Sequence, residues 1–100
     1  MPKYPFLPLS TIRKWIPLME IRHVSEVARS PRGFLHAYQS VRGDARCLSP
    51  EWWAKRDGFI ARHMAQVIAN DEDLFGKDGL PTRRHLALIA WAYSPRPKGL

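Results

Sequence analysis

Cysteine is almost missing from this chain: Cys47 stands alone among 100 residues. One thiol excludes an intrachain disulfide framework and any multi-cysteine zinc site, and it makes a reducing, cytoplasmic setting the expectation. Long apolar runs are missing as well. No stretch approaches the roughly 18 residues of a membrane-spanning helix. Pro2, Pro5 and Pro8 also interrupt the N-terminus where a secretory signal needs continuous apolar residues. The expected protein is soluble and has no membrane partner.

Catalytic and metal-binding patterns are equally scarce. His23, His36, Cys47, His63 and His85 make no i,i+4 pair and no recognised ligand spacing. The spacing of Asp71, Asp73 and Asp78 does not meet the twelve-residue calcium-loop pattern with its fixed glycine and closing glutamate. There is no glycine-rich phosphate cradle and no evident nucleophile with its base. The sequence therefore predicts no metal, no cofactor and no enzyme. Cys47 has Arg46 before it and Arg42 nearby, which would favour a thiolate if it were exposed, yet its ordinary reading is a free thiol in a loop.

What is present is aromatic and basic. Four Trp, four Phe and three Tyr within a 45% hydrophobic chain suffice for one core, and the length fits one domain. Hydrophobic spacing and helix-start residues predict an all-α bundle of four or five helices over residues 1–94. A flexible, basic, Pro-rich tail is expected over 95–100.

Ser30-Pro31 is read as opening a helix to about Arg42, with Gly43 as its left-handed cap. Ser49-Pro50 opens the longest helix, to about Ala69, expected to be the spine of the core through Trp53, Ile60, Met64 and Val67, flanked by Trp52, Phe59 and Ile68. Gly58 inside it suggests a close helix crossing. Residues 70–81 form a turn-rich loop with a hairpin-like turn at Lys77-Asp78-Gly79. Thr82 caps a last helix to about Tyr93 that is apolar nearly all round. Pro17 is expected to break the first helix.

Three buried or partly buried polar side chains are anticipated. His85 shares a face with Ile89 and Ala92 and reads as a neutral, hydrogen-bonded core histidine; His63, beside Phe59 and Arg56, reads the same way. Asp57 lies at helical spacing from Trp53, Ile60 and Met64, so it should be buried or half-buried against an arginine or a helix-end donor, with Arg13, Arg83 and Arg84 as candidates.

Sixteen Lys and Arg against nine Asp and Glu give a net charge of +7. By segment the balance is +5 over residues 1–48, −2 over 49–80 and +4 over 81–100, so the acidic charge gathers in the 71–78 loop. The basic set Arg13, Lys14, Arg22, Arg29, Arg32, Arg42 and Arg46, interleaved with Trp15 and Tyr38, suits a DNA or RNA backbone, with charge on phosphate and an aromatic for stacking. The exposed row Arg32, His36 and Gln39, continued by Arg42 and Arg46, is the candidate nucleic-acid-binding site. A helix-turn-helix built from residues 25–29 and the helix after Pro31 is its most specific form. The alternative is a protein-interaction or adaptor module in which Trp15, Trp52 or Trp91 forms an exposed aromatic patch for a protein partner.

Overall fold

The computed structural model describes residues 3–96. Five α-helices follow one another: α1 (Leu9–Ile21), α2 (Glu26–Arg29), α3 (Phe34–Ser40), α4 (Pro50–Ala69) and α5 (Arg83–Ala90), with a 3-10 turn at Ala45–Cys47. The chain is a small all-α domain, as its spacing predicts. Residues 97–100 of the anticipated tail lie outside the described residues.

The long helix starts as expected, because Ser49 accepts the amide of Trp52 and Pro50 occupies the first turn, where no donor is needed. Thr82 caps α5 in the same way through the His85 amide. The end of α3 differs from the expected glycine cap: Arg42, at φ +55°, is the left-handed residue and donates to the Gln39 carbonyl, while Gly43, at φ +76°, follows it and donates to the Tyr38 carbonyl. The loop before α5 turns tightly: Gly76 donates to the Leu80 carbonyl, Gly79 sits at φ +78°, and Phe75 bridges Pro81.

Four further expectations need correction. Pro17 does not break α1, which runs unbroken from Leu9 to Ile21. Pro17 faces solvent while Ile12 and Met19 are fully buried, so core packing holds both halves and the lost hydrogen bond falls on the wet side. Ser30-Pro31 does not open α3 either. Ser30 closes α2 by donating to the Val27 carbonyl, and a turn follows in which Gly33 donates to the Ser30 carbonyl before α3 begins at Phe34. Gly33 is required there, since a Cβ would lie 2.1 Å from the Val27 carbonyl oxygen.

Gly58 marks no helix crossing, because the atom nearest its absent Cβ belongs to the Arg62 side chain. Finally, the spine of the core is α5 rather than α4. Leu86, Ile89 and Ala90 pack with Ile12, Met19, Phe34 and Leu35 on one side, while Leu88 packs with Ile60, Val67 and Leu74 on the other. Each such aliphatic side chain contributes about 1.5–3 kcal/mol on full burial, so a helix apolar all round stabilises both clusters at once. By contrast α4 buries only Arg56, Ile60 and Val67, its Trp53 is half-buried, and Ile68 is 75% exposed.

Candidate functional site

Arginine dominates the polar architecture, and its side chains divide by partner. Arg56 on α4 is fully buried without a buried carboxylate beside it. Its Nε donates to the Trp91 carbonyl at 2.7 Å, Nη1 to Tyr4 at 2.8 Å, and Nη2 to Pro5 at 2.7 Å and Ala92 at 2.9 Å. The guanidinium also lies 3.6 Å from the Phe6 ring centroid. Short helices end in carbonyls that lack intrahelical partners. The Arg56 guanidinium collects two such carbonyls just past α5 and ties them to the N-terminal segment. Burial pulls its pKa down to about 10, partly offset by Asp57, so it stays charged at neutral pH.

Other arginines work in the same way. Arg83 donates to the carbonyls of Arg22 and His23 past the end of α1, Arg22 to Pro81, and Arg29 to Val24. Arg84 spreads over three side chains, donating Nε to Glu72, Nη1 to His63 Nδ1 at 2.8 Å, and Nη2 to Gln66. Much of the positive charge that reads as a basic surface is thereby occupied inside the fold.

The candidate row fares differently. Arg32, His36, Gln39, Arg42 and Arg46 are all exposed. Arg46 is held by Asp44, with Nε and Nη2 each 3.0 Å from a carboxylate oxygen, and this pairing keeps the Asp44 carboxyl below its ordinary value. The side chains of Arg32, His36, Gln39 and Arg42 have no hydrogen-bond or ion-pair partner among the described residues. Tyr38, offered for stacking, is buried and donates its hydroxyl to the Leu7 carbonyl. Trp15 is half-buried with the Lys14 ammonium 5.1 Å over its ring. With α2 a single turn and α3 burying Phe34, Leu35 and Tyr38, this pair is too short for helix-turn-helix reading of a groove.

Trp52 and Trp91, like Trp15, are half-buried. Trp91 stacks on Phe34 at 5.0 Å and on Phe59 at 4.6 Å, and Trp52 meets Phe34 edge-on at 5.9 Å, so these rings knit α3, α4 and the end of α5 together. The exposed large apolar side chains are aliphatic: Ile21, Val27, Ile68 and Leu80.

Asp57 meets no arginine side chain. It is half-buried and accepts the backbone amide of Lys3 at 3.2 Å. The buried polar residue of α4 is its neighbour Arg56, which sequence reasoning missed. Arg56, Ile60 and Val67 share one stripe at spacings of four and seven, but a guanidinium is ordinarily assigned to the wet face. His85 is buried as expected. Because the Leu74 carbonyl can only accept, Nδ1 carries the proton, and Nε2 accepts from the Ser94 hydroxyl, both at 2.8 Å. Burial holds its pKa below the ordinary value.

A cleft of about 460 Å³ opens between the α1–α2 turn (residues 22–25), α4 and α5, and its lining includes Ser25, His63 and Glu72. These are the residue types of a hydrolytic triad, but the bonds run against one. Arginine can only donate, so His63 Nδ1 accepts and the ring proton sits on Nε2, leaving no free basic nitrogen to receive a serine proton. Glu72 accepts from Arg84 and Asn70 rather than orienting the histidine. Among the described residues no group of three or more His, Cys, Asp and Glu could hold a metal ion. No described helix is long and apolar enough to cross a membrane. Comparisons with protein-family models, with curated proteins and with solved structures find no match.

Proposed function

We propose that this protein is a non-enzymatic binding module that associates with a nucleic-acid backbone through Arg32, His36, Gln39 and Arg42. One observation carries the reading: these side chains stand in solvent without partners among the described residues, whereas Arg22, Arg29, Arg56, Arg83 and Arg84 are engaged with internal acceptors. A guanidinium without an internal partner keeps its donors for phosphate, for which its planar fork is suited. Arg46 contributes less than its neighbours because Asp44 already neutralises it. The protein-adaptor alternative would use Trp15, Trp52 or Trp91; it is less favoured because these rings are half-buried and Trp52 and Trp91 pack on Phe34.

Binding through phosphates should weaken steeply with salt, by about 0.9 unit of log-log slope per neutralised phosphate on duplex DNA. Arg32→Ala with Arg42→Ala should remove about two such contacts and flatten the slope accordingly, with little change in sequence preference. Fluorescence anisotropy on mixed-sequence DNA and RNA over a salt series provides the test. Absence of binding at low salt, or an unchanged slope in the double variant, refutes the reading.

A further inference from the structure

We propose that the cleft between the α1–α2 turn, α4 and α5 is a binding site for a small organic monocarboxylate with an apolar body. This site is separate from the α3 row and does not depend on it. Its volume of about 460 Å³ falls within the range that holds small ligands.

The lining holds several unused donors. Arg84 commits one N–H each to Glu72, His63 and Gln66, and a guanidinium carries five, so part of its fork is left over. The same Arg84 contact forces the His63 proton onto Nε2, making that nitrogen a donor as well. Ser25 adds a hydroxyl that makes no capping bond to its own helix. The acceptor side is poorer, because the one carboxylate of the lining, Glu72, has about half of its roughly four lone-pair sites taken by Arg84 and Asn70. A cleft rich in donors and short of free acceptors selects an anion.

Charge and surface narrow the class. Arg83 and Arg84 against Glu72 leave one surplus positive charge in the lining, which matches a monoanion better than a dianion. Phe59, Val24 and Ala87 supply apolar wall, which rewards a hydrocarbon body and penalises a fully hydrated ion. Ser25 itself sits at φ +58°, a left-handed conformation that L residues other than glycine adopt only at a cost. Ser25 is among the residues that line the cleft.

The test is a titration of the full chain with benzoate, followed by backbone and histidine-ring NMR shifts, with inorganic phosphate as comparator. Saturable shifts at Ser25, His63 and Ala87 with benzoate, and none with phosphate, are expected. His63→Phe keeps a ring beside Phe59 but removes the Nε2 donor, and should weaken benzoate about tenfold, the effect of losing one hydrogen bond to a charged group. Ser25→Gly removes the hydroxyl while accepting the left-handed backbone, so it tests the site even if His63→Phe fails to fold; a loss of about threefold is expected. Arg32→Ala with Arg42→Ala should leave benzoate binding unchanged, which separates this site from the nucleic-acid reading. No saturable shift, phosphate binding as tightly as benzoate, or wild-type affinity in Ser25→Gly overturns the proposal.

Discussion

Arg56 on α4 and Arg32 ahead of α3 carry the same side chain in opposite circumstances. Arg56 is fully buried and gives four hydrogen bonds to backbone carbonyls from two other segments; Arg32 is exposed and gives none among the described residues. The difference shows that net charge counts arginines without distinguishing their work. A fold built from short helices has many terminal carbonyls to satisfy, and a multi-donor cation can satisfy several at once. Only the remainder is available to a partner.

The largest expected effect lies at the buried end of this comparison. Arg56→Met should destabilise the fold by about 3–5 kcal/mol, because the carbonyls of Tyr4, Pro5 and Trp91 are left without their donor at about 1–3 kcal/mol each, while that of Ala92 keeps the Leu7 amide. Arg56→Lys keeps the charge but has three donors on a point-like head, so its loss should be smaller. Equal denaturant midpoints for Arg56→Met and wild type would show that water replaces the guanidinium without loss.

Acid should act next. His63 and His85 both have folded pKa values held below the ordinary value, chiefly by burial, with Arg84 and Arg62 adding to the depression at His63 and Glu72 opposing it. The unfolded chain therefore takes up protons first as pH falls below about 6.5. The stability these two groups contribute is complete above that value and is lost as pH falls toward the folded pKa values. Urea midpoints at neutral pH and near pH 5.5 should show a decline, and His85→Gln should reduce it. A midpoint that rises on acidification contradicts the neutral assignments.

Much of the fold was legible in sequence. Ser49-Pro50 and Thr82 place a polar oxygen ahead of a helical apolar pattern, and both cap their helices as read. Ser30-Pro31 carries the same signature and ends a helix instead, because the close approach of Gly33 to α2 decides where α3 starts. Pro17 misled for a related reason: packing of Ile12 and Met19 outweighs a solvent-side hydrogen bond. Within the candidate site, the exposure of His36 and Gln39 follows from helical phase, whereas Arg32 and Arg42 lie outside α3, in the turns before and after it. The Asp44 pairing of Arg46 and the carbonyl ligands of Arg56 depend on segments brought together by the fold, and no local pattern encodes them.

Smaller effects sharpen the surface end. Asp44→Asn keeps an acceptor for the Arg46 amide but removes the charge that occupies its guanidinium, so it should raise low-salt nucleic-acid affinity and steepen the salt slope by about 0.9 unit. Unchanged binding would place Arg46 outside the contact. Smallest of all, Arg32→Ala and Arg42→Ala should each shift stability by less than about 0.5 kcal/mol, as expected for exposed residues without partners. A larger shift in either melting curve would mean that the side chain supports the fold.

The division between committed and available arginines is tested most directly by the hydrogen-exchange rates of their Nε–H groups in 15N-resolved NMR. Arg56, whose Nε donates to the Trp91 carbonyl in a buried site, should exchange slowest, with Arg29 and Arg84 intermediate and Arg32 and Arg42 as fast as free arginine. An Arg56 Nε–H that exchanges as fast as that of Arg32 would contradict the account.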